Sequence, residues 1–365
     1  MGPTLKHPDR IRQAVEDAVS KGVFPGAVLL CALDHHIIFH EAFGKADLFE
    51  NRTMQRYSIF DLASLTKPLA TTLSISKLME KGKLFLDQRI GTILPEFQNT
   101  DKSDITIDML LRHRSGFPAH RHYYLDLLHS GKEPRPYLRD LLIKEPLESI
   151  IGEKEVYSDL GFMVLAWIIE RVSGQRLDQF VSHEIYTPLG IERLFFMELS
   201  PENEKLKWYR EEFVATQHCP WRKRVLRGEV DDDNAYAVGG IEGHAGLFGD
   251  ALSVYRLCSE VLKSIQNSPS AVFNPDIIKN FVKKDKGFER VAGFDTPSKQ
   301  ESSSGRFFSE FSIGHLGFTG TSFWIDPENG LIIVLLTNRV HPSRSGEGIK
   351  KFRPRIHDLI QVELM

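Results

Sequence analysis

The chain has 365 residues, 41 % apolar and 26 % charged, the balance of a globular protein rather than of a disordered, collagenous or coiled-coil one. Its 46 basic and 49 acidic residues leave a formal charge of −3, so no bulk electrostatic bias points to nucleic acid. Cys31, Cys219 and Cys258 are odd in number and far apart; this spacing argues against a disulfide framework or a zinc knuckle and for small buried side chains.

The first element is an amphipathic helix over 8–21, with Ile11, Val15 and Ala18 on one face and Gly22 ending it. Strands at 26–32 and 36–43 follow, joined as a hairpin by Leu33-Asp34-His35. Helical patterns then occupy 66–81, 104–111, 159–172 and 177–186, with Gly82 and Gly174 as C-caps. The Gly-rich stretch 239–249 reads as a loop leading into a helix over 251–263, and 299–305, with three consecutive serines, as a mobile surface loop. Strands at 320–325 and 330–337 form a second hairpin across Asp326-Pro327-Glu328-Asn329, and a last helix runs over 348–362. Strands at both ends with helices between them predict an α+β fold, whose antiparallel sheet is built by the two termini. We expect one catalytic unit, with an α/β region of about 1–62 plus 236–365 and an inserted helical region of about 63–235. The longest apolar stretches, 162–169 and 331–337, are far short of the ~20 residues that cross a bilayer. Charges crowd the N-terminus, leaving no signal-peptide core, so the chain reads as cytoplasmic, with no membrane partner.

A serine hydroxyl is a weak nucleophile at neutral pH and needs a base beside it. Ser-x-x-Lys on a helix supplies one, because residues three apart share a face. The pattern occurs twice, at Ser64-Leu65-Thr66-Lys67 and at Ser74-Ile75-Ser76-Lys77. Ser64 opens a helix, where free N–H groups favour a developing oxyanion. Ser74 lies mid-helix without such donors and reads as an ordinary helix position.

The longer string Phe60-Asp61-Leu62-Ala63-Ser64-Leu65-Thr66-Lys67 resembles the active-site segment of the β-lactamase and penicillin-binding-protein superfamily, above all its class C and esterase branch. Tyr157-Ser158-Asp159 stands where that family has Y-x-N, and His315-Leu316-Gly317, at the start of a predicted strand, where it has K-T-G. Leu110-Leu111-Arg112-His113-Arg114-Ser115-Gly116, Pro188-Leu189-Gly190 and Gly243-His244-Ala245-Gly246-Leu247-Phe248 resemble its L-L-x-H-x-S-G turn, its P-L-G turn and its Gly-rich loop. The resemblance runs from about residue 10 to about 340. It implies the β-lactamase/transpeptidase-like fold and covalent catalysis with no metal or other cofactor. Ser64 is then the nucleophile, Lys67 and Tyr157 (as phenolate or relay) share its proton, and the N–H groups of Ser64 and Phe318 form the oxyanion hole. Asp159, His315 and Gly317 border the substrate, Gly317 letting the strand pass close to it.

Two positions depart from the family pattern. His315 stands in place of a lysine usually credited with holding a substrate carboxylate, and Asp159 in place of an amide. Together they move the local charge by about two units in the negative direction, which should weaken capture of anions such as penicillins unless an arginine such as Arg306 replaces the cation. Asp159 can instead pair with Lys67 and keep it protonated, which shifts the base role to Tyr157.

Other chemistry-bearing clusters have plainer readings. His35-His36-His40 and His120-x-His122 lack the partners of a metal site, and Asp231-Asp232-Asp233 reads as a solvated loop. Glu242 and His244 read as turn residues ahead of a role in lining the site, Trp167 and Trp324 as core, and Arg121, His122, Tyr123 and Tyr124 as a pocket rim or a surface loop. The whole points to a serine acyl-hydrolase of small ester, amide or β-lactam carbonyls, with a carboxylesterase ahead of a D-aminopeptidase or muropeptide amidase. A binding or sensing protein that acylates without turnover is the rival of another class.

Overall fold

A computed structural model describes residues 4–200 and 202–365. Helix α1 (Pro8–Ser20) begins on a proline, which is well suited to the first turn of a helix. It leads into β1 (Gly26–Leu33) and β2 (His36–Asp47). Their turn is two residues long, and Asp34 and His35 both take positive φ, the left-handed geometry that matches the twist of paired strands. After β3 (Arg52–Thr53) and β4 (Phe60–Asp61) the chain becomes helical, with a tight turn at Ala63–Leu65, a π-helical turn at Lys67–Thr72 and α2 (Leu73–Glu80). Further on lie α3 (Asp159–Ser173), β5 (Leu194–Phe196), the hairpin β6 (Ala215–Cys219) and β7 (Arg224–Arg227), β8 (Leu247–Gly249) and α4 (Ala251–Ile265). The chain closes with β9 (Ile313–Leu316), β10 (Ser322–Asp326), β11 (Leu331–Thr337) and α5 (Gly348–Leu364).

The main sheet has the order β3-β2-β1-β11-β10-β9 and is antiparallel, so N-terminal and C-terminal strands meet at β1 and β11. Both of its faces are covered. Ala27, Leu29, Cys31, Ile333 and Leu335 pack under α1 and α5, whereas Val28, Leu30, Ala32, Val334 and Leu336 face α4 and the helical region. That two-sided burial is why β1 and β11 read as unbroken apolar runs rather than as alternating ones.

Several expectations need correction. The helical pattern at 104–111 yields helix only at Ile107–Leu111, because Thr106 caps it by accepting from the Met109 N–H and Arg89 bridges to Thr106 in extended form. The pattern at 66–81 starts as a π turn, and that at 177–186 ends as one. The loop 239–249 contains strand β8, too short to show a period. The loop at 299–305 is anchored at its far end, where Ser304 is buried and the Ser303 carbonyl accepts from His357 Nδ1. All three cysteines are buried and free, and Trp167 and Trp324 are core residues. No helix among the described residues is long and apolar enough to cross a membrane.

Candidate active site

A three-stranded sheet in the order β4-β8-β5 aims the Ser64 segment. Asp61 pairs with Phe248, and the Leu62 N–H donates to the Leu247 carbonyl at 2.9 Å. The chain then turns sharply. Ala63 takes φ +48°, a conformation costing roughly 1–2 kcal/mol for a residue with a Cβ. Its surroundings hold it there: the Ala63 N–H donates to Asp61 Oδ1 at 2.9 Å, and Thr66 Oγ1 donates to the Ala63 carbonyl at 2.6 Å. The other Asp61 oxygen accepts from the Asp231 N–H at 2.6 Å. Burial, the dominant influence, pushes the Asp61 carboxyl up to about 7 despite these two donors.

The turn brings Lys67 beneath Ser64. Lys67 is fully buried, and its Nζ donates to Ser64 Oγ at 3.0 Å, Asp159 Oδ1 at 2.7 Å and the His244 carbonyl at 3.3 Å. Burial works against the ammonium, but Asp159 outweighs it and raises its pKa. Asp159 is affected the opposite way: against burial, the Lys67 ammonium and His120 hold its carboxyl well below the usual range. The expected Lys67–Asp159 pair therefore forms, with Lys67 protonated.

Tyr157 precedes α3, whose N-cap Ser158 accepts from the Gly161 N–H. The Ser158 N–H donates to His113 Nδ1 at 2.9 Å, and the His113 ring lies 4.6 Å from that of Tyr157. The Tyr157 ring centroid is 4.8 Å from Lys67 Nζ. Burial raises the phenol's pKa in spite of Lys67, so Tyr157 rests as a neutral phenol.

His315 closes the opposite wall. It lies at the end of β9, not at the start of a strand, and its Nδ1–H donates to the Leu316 carbonyl at 2.9 Å. Burial pushes the imidazole down to about 4, although Asp295 opposes this, so it is neutral. Gly317 is also tightly packed: a Cβ there would lie 2.0 Å from Thr321 Oγ1 and 2.7 Å from the Leu62 carbonyl.

Ser64, Tyr157, Asp159, His315, Gly317 and Phe318 line one cavity of about 640 Å³, with Lys67 below its floor. The second Ser-x-x-Lys is elsewhere: Ser74 is buried within α2, and Lys77 is held by Glu80 and the Val272 carbonyl. Of the expected rim, His122 borders the cavity. Arg121 turns to Glu145 and Glu148, Tyr123 to Glu145, and Tyr124 stacks on Trp221.

The sequence reading missed two parts of the site. Asp231-Asp232-Asp233 is not a solvated loop but part of the cavity wall. Asp231 pairs with Arg344, Asp233 with Arg222 and Arg344, and Asp232 with His244 Nε2 at 3.0 Å. His244 thereby joins the site through its ring as well as its carbonyl. The second omission is positive charge. Arg306 is an exposed partner of Asp358 outside the cavity, whereas Arg290, Arg339, Arg344 and Arg353 line it. The expectation of a more negative site counted only positions 159 and 315; of these arginines, Arg290 and Arg344 are paired with carboxylates. Among the described residues, no group of three or more His, Cys, Asp or Glu side chains is placed to hold a metal ion.

Known proteins share this architecture. EstCE1, "a hydrolase with promiscuous acyltransferase activity", superposes with a TM-score of 0.76 at 21 % identity, covering 96 % of this chain and 98 % of that one. An octameric penicillin-binding protein homologue from Pyrococcus abyssi gives 0.73 at 18 % identity, covering 97 % and 77 %. In sequence, the chain is 32 % identical over 352 residues to an Escherichia coli (strain K12) protein named "Putative D-alanyl-D-alanine carboxypeptidase", covering 87 % of this chain and 79 % of the relative. It is 31 % identical over 364 residues to the N-acetylmuramyl-L-alanine amidase of Bacillus subtilis (strain 168), covering 91 % and 81 %. Residues 11–353 match the family model described as Beta-lactamase, and the chain belongs to that family of serine hydrolases.

Proposed function

We propose that the protein hydrolyses small esters or amides through an acyl-enzyme on Ser64. The observation that carries this is the 3.0 Å contact between Ser64 Oγ and the buried Lys67 Nζ at the floor of the cavity. Once the Lys67–Tyr157 unit has released a proton to solvent, Ser64 Oγ attacks the substrate carbonyl and its own proton passes to that unit. The N–H groups of Ser64 and Phe318 stabilise the oxyanion; donors of this kind are each worth about 2.7–4 kcal/mol. Collapse expels the leaving group, which takes up the proton. Water then attacks the acyl carbonyl by the same route and restores Ser64. Asp159 sets the charge of Lys67, and His315 and Gly317 shape the wall. The reading has one catalytic unit, combining the sheet of the two termini with the helical region, and needs no metal or other cofactor.

A neutral carboxylic ester is the simplest substrate that fits. A second reading, a muropeptide or D-amino-acid amide, is favoured by the names of the sequence relatives and by the arginines of the cavity wall. Labelling with a fluorophosphonate, followed by peptide mass spectrometry, tests the nucleophile: the adduct is expected on Ser64, and Ser64→Ala should abolish turnover of p-nitrophenyl acetate. An adduct on another serine with Ser64 free would overturn the assignment.

A further inference from the structure

The unit that takes the Ser64 proton is badly placed to take a second one near neutral pH. Asp159 keeps Lys67 an ammonium, and burial keeps Tyr157 a neutral phenol. A leaving group that departs with a proton empties the unit again. One that departs as a weakly basic anion, such as a phenolate or a thiolate, leaves the Ser64 proton behind. The water that must attack the acyl-enzyme then finds no base in Lys67 or Tyr157.

The cavity offers another base. His120 is exposed on the wall that it shares with Ser64, Tyr157 and Asp159. Asp159 divides its two oxygens: Oδ1 accepts from Lys67 Nζ at 2.7 Å, and Oδ2 lies 3.0 Å from His120 Nδ1. Lys67 and His120 hold the Asp159 carboxyl well below the usual range, so it is ionised and can only accept. Nδ1 therefore carries the hydrogen, and the lone pair of the neutral ring falls on Nε2. A carboxylate that fixes the tautomer of a histidine leaves the opposite nitrogen ready to receive a proton.

The other histidines at the cavity lack this arrangement. Burial pushes His113 and His315 down. The His244 ring is engaged by Asp232 and buried. His122 packs edge-on against His120, with ring centroids 5.1 Å apart, and has no carboxylate partner among the described residues. Of the neighbouring charges, Arg121 is taken up by Glu145 and Glu148, and the buried Lys67 and His244 act on Asp159.

We propose that His120 is the general base for the deacylating water when the leaving group leaves the Ser64 proton behind. The inference rests on the Ser64 acyl-enzyme and adds the residue that resolves it. Nε2 takes a proton from water as the water oxygen bonds to the acyl carbon, and Asp159 stabilises the imidazolium that forms. The bond from the acyl carbon to Oγ then breaks, and Ser64 recovers its proton from the Lys67–Tyr157 unit. The exposed His120 passes the proton taken from water to solvent.

The test follows p-nitrophenyl acetate hydrolysis by the full-length protein at pH 7.5. His120→Gln keeps an N–H for Asp159 but has no basic nitrogen. It is expected to lower kcat at least tenfold while kcat/KM, which is complete at acylation, stays within about threefold. Acetylated Ser64 should accumulate in this variant, read by peptide mass spectrometry after an acid quench. His120→Ala should behave alike and regain part of its kcat with added imidazole, corrected for the same imidazole with Ser64→Ala. An unchanged kcat would overturn the role of His120. So would kcat and kcat/KM falling together, the mark of a structural part only. Turnover that persists in Ser64→Ala would instead overturn the acyl-enzyme itself.

Discussion

Replacing Asp159 by asparagine should move the pH profile of the reaction toward neutrality. At rest Lys67 is an ammonium and Tyr157 a phenol, both pKa values being raised. The pair can accept the Ser64 proton only after losing one, so kcat/KM for a neutral ester should climb about tenfold per pH unit until the pair's apparent pKa is reached. Asp159 is the largest influence holding the proton on Lys67, and burial opposes it. At the observed 2.7 Å the attraction is about 6 kcal/mol for an effective dielectric of ~20, an upper bound. The amide oxygen of asparagine still accepts a hydrogen bond, and opposite charges at such range typically shift a pKa by about 1–3 units. The alkaline limb should therefore move down by about that amount, equivalent to roughly 1.4–4 kcal/mol. The assay is kcat/KM for p-nitrophenyl acetate from pH 6 to 10 at constant ionic strength, corrected for spontaneous hydrolysis. A limb that stays in place, or moves upward, would refute the argument that Asp159 governs the charge of Lys67.

Tyr157→Phe and Lys67→Ala should each depress turnover heavily, and the double variant should be little worse than the weaker single variant, because the two side chains act on one proton; losses that multiply would mean independent roles. Asp61→Asn should flatten the pH dependence of stability. With the folded carboxyl at about 7, the unfolded chain ionises first as pH rises above ~4, so the wild type loses stability between roughly pH 4 and 7. Over pH 5 to 7.5 the asparagine variant should lose about 2–3 kcal/mol less in urea unfolding, and an equal loss would contradict the assignment. Gly317→Ala should cost about 1–3 kcal/mol of stability, the usual price of overpacking, because its Cβ meets Thr321 Oγ1 and the Leu62 carbonyl; a neutral result in chemical denaturation would show that this contact relaxes freely.

What could be read from the sequence follows from how local each signal is. Ser64 and Lys67 lie one turn apart, and Tyr157 and Asp159 sit together before a long apolar helix, so short strings carry them. The main hairpins were equally visible, since β1 and β11 each bury both faces and run uninterrupted. Strands β4, β5 and β8 have two or three residues each, too few to display a period, and their pairing joins segments far apart in the chain. Charge was the least legible property. Asp231-Asp232-Asp233 looks solvated until Arg222, Arg344 and His244 are brought to it, and Arg353 is an ordinary helical arginine until α5 buries it without a carboxylate. Pairing decides what a charge does, and pairing is a property of the folded chain.

The small sheet β4-β8-β5 acts as a jig for the chemistry. Ser64 leaves one of its strands and the His244 carbonyl precedes another, so the span that seats Lys67 is set by backbone ladders rather than by side-chain torsions. The groups around the opening come instead from connecting segments, at His120 and His122 and between Arg339 and Gly346. Interchangeable edges on a stiff mount allow a lineage to exchange one acyl substrate for another by editing loops, with the hydrolytic machinery left in register.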